Sequence, residues 1–298
     1  MNDTLVQSIF SEHKLKTPRA QKMHIENLRQ PMREIWHAYK NDLVKIDYSK
    51  HCAQEAYLLR YFLPYANTLE SVLKAAKWQP PQDNPLLEVC LLGCGPAPEL
   101  LVIINHLKQQ PQAPHMLVAH FVDIAADTWC YGQRIAQRAF LAEQWDTALL
   151  DTTSTKADLC SADLLNDKEL ADKISGSKLV VIQNCLNEAN HGQTHNNLIK
   201  IISMMRDDAH LLIIDRNGYK ITNSYFKIID MLANINQYHK QGCNDAFYNT
   251  AHINSACSAQ IKNKLLYAPT GKTFENDGLI LSHGVKHSWR LLTKTAQG

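Results

Sequence analysis

Two regimes of hydrophobic patterning divide the chain near residue 85. Before that point apolar residues recur at helical spacing. Leu58, Tyr61, Phe62, Tyr65, Leu69, Val72 and Leu73 lie mostly three or four positions apart and predict one buried stripe. Pro64 predicts a break in that stripe. A fresh helix start is expected at Asn67-Thr68-Leu69-Glu70, with Asn67 as cap and Glu70 three residues on. The segment Trp78-Gln79-Pro80-Pro81-Gln82-Asp83-Asn84-Pro85 cannot continue a helix and marks the end of an N-terminal helical cap region, residues 1–85.

Beyond the prolines, short apolar runs alternate with amphipathic stretches. Strands are expected at Leu86–Leu92, Met116–Val122, Ala157–Ser161, Lys178–Gln183 and His210–Ile214. Helices are expected at Glu99–Leu107, Thr128–Glu143, Lys168–Ile174 and Asn197–Met205, with Gly278–Ser282 and Ser288–Thr293 as a closing pair of strands. This alternation predicts an α/β fold, a doubly wound and mostly parallel sheet over residues 86–298. An inserted segment at about 216–276 holds Tyr219, Tyr225, Phe226, Tyr238, Phe247, Tyr248, Tyr267 and Phe274. Those aromatics either line a substrate pocket or pack an inserted helix onto the sheet.

The candidate chemistry starts in Leu86-Leu87-Glu88-Val89-Cys90-Leu91-Leu92-Gly93-Cys94-Gly95-Pro96-Ala97-Pro98-Glu99-Leu100, a buried strand running through a glycine turn into a helix. Such a turn at the carboxyl edge of a first strand is the usual nucleotide site of doubly wound folds. A dinucleotide fingerprint needs a third glycine where Pro98 stands, and Gly271-Lys272-Thr273 has Leu266 in place of the earlier glycine of a phosphate loop. A ribose needs an acid at the end of the second strand. Asp123, 28 residues after Gly95, either accepts from both hydroxyls or caps the helix that follows; Ile124 and Trp129 could then flank the adenine, unless Trp129 is core.

The order of strand, Gly-Cys-Gly-Pro and small residue resembles motif I of the class I S-adenosylmethionine-dependent methyltransferases. Leu91 replaces the usual acid of that motif and Ala97 its third glycine. The resemblance implies a Rossmann-like methyltransferase fold with S-adenosyl-L-methionine as cofactor, held by Gly93, Cys94, Gly95, Pro96, Asp123, Ile124 and Asn184. It further implies that Asp163 and Leu164, at the end of the third strand, meet the adenine. The fourth strand runs into Gln183-Asn184-Cys185-Leu186-Asn187-Glu188. Its Leu-Asn-Glu ending is similar to methyltransferase-like proteins of the mitochondrial small ribosomal subunit and to fungal large-subunit rRNA uridine methyltransferases. The paired cysteines with which the mitochondrial group holds a metal cluster have no counterpart here. Asn187, Tyr219, Tyr57 and Tyr61 are the substrate-side candidates, the two last as part of a helical lid. Glu188 and Asp215 are the candidate general bases. Each has a plainer alternative: Asn187 and Glu188 open a helix, Asp215 pairs with Arg216 at the surface, and the tyrosines fill an interhelical core.

Composition narrows the partners less than the motif does. The net charge is +2, and residues 1–60 carry ten Lys/Arg against seven Asp/Glu, too slight an excess to single out RNA over a small-molecule acceptor. Eight cysteines without a Cys-x-x-Cys pair, no apolar run of membrane-spanning length and no basic-then-apolar leader predict a reduced, cytoplasmic protein with no membrane partner. Cys94 is either a reactive thiol or a small residue tolerated in a tight turn. His191 with His195, and His283 with His287, have i, i+4 spacing, but Gly192 and an expected turn or strand argue against a metal there. The expected activity is methyl transfer to a nitrogen or oxygen of a small molecule or RNA. A catalytically silent cofactor-binding ribosome assembly factor and a nicotinamide-dependent oxidoreductase stay open as alternatives.

Overall fold

The structure is a computed structural model that describes residues 2–40, 46–81, 84–110, 114–140, 150–186, 188–189, 192–216, 220–234, 238–249 and 284–295. They form two compact units. One takes its residues from Met1–Asn67, Thr128–Gln144 and Asn249–Val285, the other from Thr68–Asp127, Trp145–Tyr248 and Lys286–Gly298. The division falls inside a helix, α5 (Leu63–Ala76), and not at the proline-rich segment that closes the 1–85 region.

The first unit contains α1 (Asn2–Glu12), α2 (Pro18–Asn27), α3 (Arg29–Lys40), α4 (His51–Tyr57), a π-helical turn at Leu58–Phe62 and most of α7 (Ala126–Phe140). Leu5, Ile9, Leu28, Met32, Ile35 and Leu58 are fully buried in it. Thr17 opens α2 by accepting the Ala20 N–H, with Pro18 at the first helical position. Buried Gln54 uses its whole amide. Its Nε2 donates to the Tyr48 and Thr128 carbonyls at 2.7 and 2.6 Å, and its Oε1 accepts the Gly132 N–H at 2.8 Å.

The predicted stripe from Leu58 to Leu73 is buried throughout, but the expected restart at Asn67 is not found. α5 begins at Leu63 and runs unbroken through Asn67. The wide π turn directly ahead of Pro64 takes up the irregularity that proline imposes, so the helix needs no second cap.

The second unit is built on a seven-stranded sheet of order β3-β2-β1-β4-β5-β7-β6. Its strands are β1 (Leu86–Leu92), β2 (Met116–Asp123), β3 (Leu150–Lys156), β4 (Leu179–Gln183), β5 (His210–Arg216), β6 (Tyr238–Asn249) and β7 (Gly284–Lys294). β1 to β5 pair in parallel, and β7 runs antiparallel to β5. α6 (Pro98–Lys108), α8 (Lys168–Gly176), α9 (Gly192–Met204) and α10 (Lys220–Leu232) lie between strands in the chain. On one face Cys90, Leu92, Val180, Ile182, Leu211 and Ile213 join Leu170, Ile174, Leu198, Ile201, Tyr225 and Phe226 in a single core. The alternate residues Val89, Leu91, Val181 and Leu212 are buried as well, as both faces of a central parallel strand must be. The α/β doubly wound expectation holds, and the chain crosses over between β1 and β4, where such sheets open their crevice.

One strand lies elsewhere than predicted. The third strand is Leu150–Lys156, and Ala157–Ser161 is a loop beyond it. The sequence Leu-Asp-Thr-Thr-Ser-Thr-Lys carries no apolar run because β3 is the half-exposed edge of the sheet, where threonine serves well. The following loop is pinned by buried Asn197, whose Nδ2 donates to the Leu159 and Ser161 carbonyls at 2.9 and 2.7 Å. Of the inserted aromatics, Tyr225 and Phe226 are buried core residues of α10, which favours packing over a pocket wall for these two. Tyr267, Phe274 and the expected strand Gly278–Ser282 lie outside the described residues. Among the described residues no helix is long and apolar enough to cross a membrane. Asn197→Ala leaves two loop carbonyls without their donor and is expected to cost about 2 kcal/mol in denaturant unfolding; a loss near zero would mean that the loop is not held through this amide.

Candidate functional site

The glycine turn is the most constrained backbone of the second unit. Gly93, Gly95 and Ala97 all adopt the left-handed conformation, with φ of +66°, +51° and +55°. Gly93 donates its N–H to the Val122 carbonyl at 2.7 Å, which keeps the turn in the β1–β2 ladder. A Cβ added at Gly93 would stand 2.6 Å from the Cys185 Sγ, so this glycine makes room for a thiol of the neighbouring strand end. Ala97 occupies the position of the third motif glycine and takes up the same left-handed geometry with a side chain, at a strain of about 1 kcal/mol.

Asp123, at the end of β2, closes the turn. Its Oδ2 accepts the Gly95 N–H at 2.9 Å and its Oδ1 the Ala125 N–H at 2.8 Å. Burial pushes its carboxyl above the usual range, and those two N–H groups pull it back. A carboxylate has about four lone-pair sites, so acceptor capacity remains for two hydroxyls. Beside it Ile124 is 61% exposed, an apolar side chain offered to solvent at the carboxyl edge. Trp129 is buried against Tyr48 and Tyr57 and is a core residue, not an adenine neighbour.

Past β4, Asn184 has φ of +53° and donates its N–H to the Ile214 carbonyl at 2.8 Å. Its side-chain Oδ1 and Nδ2 are both buried without a hydrogen-bond partner. A buried amide left unpaired on both atoms is costly, which makes Asn184 a candidate for polar contacts at the carboxyl edge.

Glu99 was not singled out in the sequence. It sits in the first turn of α6, directly after Pro98, and is 3% exposed with its Oε2 unpartnered. Burial first, and the nearby Asp123 charge, push its carboxyl up to about 8, against a hydrogen bond from its own backbone N–H. An acid two residues beyond the motif's third glycine position was the available signal. The first turn of α6 therefore offers few donors, because Pro98 has no N–H, Glu99 uses its own and Leu100 donates to the Ala97 carbonyl. Cys94 is buried, and its thiol is pushed well up by burial and by Asp123 and Glu99. It stays protonated at neutral pH, which removes the reactive-thiol reading. Pro96 is buried within the turn.

Not every predicted residue meets this cluster. With β3 ending at Lys156, Asp163 is an exposed loop residue that accepts the Asn166 amide at 2.7 Å. Leu164 is buried in the core, so neither stands at a strand end. Leu91 is fully buried in β1 between Phe121 and Val181. Asp215 is fully buried at the carboxyl end of β5, with the Arg216 N–H on its Oδ1 at 2.7 Å, which rules out a surface Asp215–Arg216 pair. Glu188 is exposed in the turn after β4. Both act on the Cys185 thiol together with Asp123 and Glu99, after burial itself. Tyr57 and Tyr61 belong to the first unit, in an aromatic cluster with Tyr48, Tyr65 and Trp129. Asn187, Tyr219, His191 and His283 lie outside the described residues. His195 stacks on Tyr225 and meets the Ser224 hydroxyl at 3.0 Å.

The sequence matches no protein-family model and no curated protein. Among solved structures, an O-methyltransferase family protein from Burkholderia thailandensis is similar over 95% of this chain and 75% of its own, at 10% identity and a TM-score of 0.47. The plantazolicin methyltransferase BpumL, solved with SAH, is similar over 92% of this chain and 97% of its own, at 10% identity and a TM-score of 0.41. A precorrin-6y C5,15-methyltransferase from Geobacter metallireducens is similar over 78% and 87%, at 12% identity and a TM-score of 0.40.

Two outcomes test the turn itself. Ala97→Gly relieves the left-handed strain and is expected to stabilise by about 1 kcal/mol, whereas Gly93→Ala meets Cys185 and destabilises by roughly 3 kcal/mol. Opposite signs in denaturant unfolding check both assignments. Glu99 holds its proton in the folded state up to about 8, against 4.5 when unfolded. Its contribution to stability is complete below pH 4.5 and is lost as the pH rises to about 8. Glu99→Gln should therefore gain on the wild type over that interval, by on the order of 4 kcal/mol. A difference that does not change with pH would contradict the burial of this acid.

Proposed function

We propose that the crevice at the carboxyl edge of β1, β2 and β4 binds S-adenosylmethionine, and that the protein is a methyltransferase acting on a nitrogen or oxygen of a small molecule or RNA. The observation that carries this reading is the Asp123 carboxylate at the end of β2, which accepts the Gly95 and Ala125 N–H groups and keeps acceptor capacity for two hydroxyls. A pyrophosphate would bring two further negative charges to this place and find few free N–H donors at the start of α6. S-adenosylmethionine carries no phosphate and brings a net positive charge, from its sulfonium and ammonium against one carboxylate. This is the argument against a nicotinamide dinucleotide.

The residues fit such a ligand one by one. Asp123 has acceptor capacity for the two ribose hydroxyls, Ile124 an exposed apolar face for the adenine, and Asn184 both halves of an unpaired amide for polar edges of the nucleoside. Gly95 and Pro96 hold the backbone close, and Glu99 supplies near the turn the carboxylate that Leu91 lacks. When bound, the cofactor supplies an already activated methyl group, so the protein's share is alignment and exclusion of water. Glu188, exposed, and Asp215, buried, are the proton acceptors for an acceptor group that is protonated at neutral pH.

Calorimetric titration of the full chain with S-adenosylhomocysteine, and separately with NAD, tests the reading. The expected result is saturable binding of the first and none of the second. Asp123→Ala should weaken that binding by about tenfold or more, because the hydroxyl acceptors are lost. Binding of NAD alone, or of neither, would contradict the assignment. Binding without methyl transfer to any component of a cell extract would leave the silent cofactor-binding module as the function.

A further inference from the structure

We propose that His13, His24 and Glu55 of the first unit form a site for a divalent first-row transition metal ion of the zinc type, with the Tyr131 hydroxyl at its edge. His13 lies in the turn after α1, His24 in α2, Glu55 in α4 and Tyr131 in α7, so the ion would join the first two helices to α4 and α7. The His13 Nε2 is 2.6 Å from Glu55 Oε1, and the His24 Nε2 is 2.8 Å from Glu55 Oε2. Tyr131 donates to Glu55 Oε1, and its oxygen is 3.0 Å from the His13 Nε2. One ligand atom from each of His13, His24 and Glu55 can be chosen so that all lie within 4.8 Å of one another.

The chemistry of this donor set selects the ion. Two imidazole nitrogens and one carboxylate suit zinc and its neighbours, whereas magnesium and calcium prefer oxygen alone. Ligands on a tetrahedral zinc stand about 3.3 Å apart, so the two imidazole–carboxylate separations need to open by about half an ångström or slightly more. The two imidazole rings are 4.4 Å apart. Glu55 is fully buried, and each of its two carboxyl oxygens meets an imidazole nitrogen. The His24 and His13 side chains are 19% and 32% exposed, which leaves a way in for the ion and a position for water.

The surrounding frame is set independently of any ion. The Gln54 amide bonds to Thr128 and Gly132 of the α7 segment, and Glu12 pairs with Arg134 and Arg138 at 2.7 Å each. The Ser8 hydroxyl donates to the Ile135 carbonyl, and His51 stacks on the Tyr131 ring at 3.7 Å. Ligands held by such supports are presented in a fixed geometry, as metal sites require.

The test uses the full chain, freed of any histidine tag and stripped with a chelator, then titrated with cobalt(II). The expected result is one equivalent bound with the visible ligand-field bands of nitrogen and oxygen ligation and without a thiolate charge-transfer band. Zinc should displace the cobalt and raise the melting temperature of the protein. His13→Ala and His24→Ala, both at partly exposed positions, should each weaken cobalt binding by roughly 100-fold or more. Glu55→Gln should do the same, and circular dichroism checks that each variant is folded. Absence of cobalt binding, a sulfur-ligated spectrum, or binding unchanged in both histidine variants would overturn the proposal and leave a hydrogen-bonded cluster alone.

Discussion

The carboxylate of Asp123 is the contact on which the candidate site depends. One of its oxygens holds the Gly95 N–H and the other the Ala125 N–H, so one side chain fixes the exit of β1 and the exit of β2 together. Three left-handed residues within five positions would otherwise have little reason to keep their conformation. The parallel register of β1 with β2, from Leu86 opposite Met116 to Leu92 opposite Val122, brings the acid to this place. That register rests in turn on residues buried on both faces, such as Leu91 and Phe121. Fold and site thus meet at one half-buried carboxylate.

The electrostatics around that charge give the crevice its character. Glu99 and Asp123 are both pushed towards their neutral forms by burial, and the Asp123 charge adds to the shift of Glu99. A protein gains nothing in stability from such an arrangement, and Asn184 adds an amide with neither atom paired. Unfavourable groups gathered at the carboxyl edge of a doubly wound sheet are what a binding site costs in the absence of its ligand.

What the sequence disclosed follows from where each signal came from. β1, β2, β4 and β5 were legible because strands buried on both faces must be apolar, and Asp123 was legible because it ends one of them. β3 was not, since an edge strand of threonines carries no apolar pattern. Placing it seven residues late misassigned Asp163 and Leu164 as strand-end residues. The expected helix start at Asn67 rested on proline as a breaker, which a π turn overrides. Glu99 was hidden by its ordinary place in a helix's first turn, where an acid is common for reasons of the dipole alone. The cluster at Glu55 had no local signature, because His13 and Tyr131 are 118 residues apart and only the fold brings them together.

The central claim is that the Asp123 crevice is a nucleoside site, and a crystal structure of the protein grown with S-adenosylhomocysteine tests it most directly. The account predicts the ribose hydroxyls on Asp123, the adenine against Ile124 and the Asn184 amide paired with the ligand. A ligand bound at another place, with Asn184 still unpaired and Asp123 holding only its two backbone groups, would contradict it.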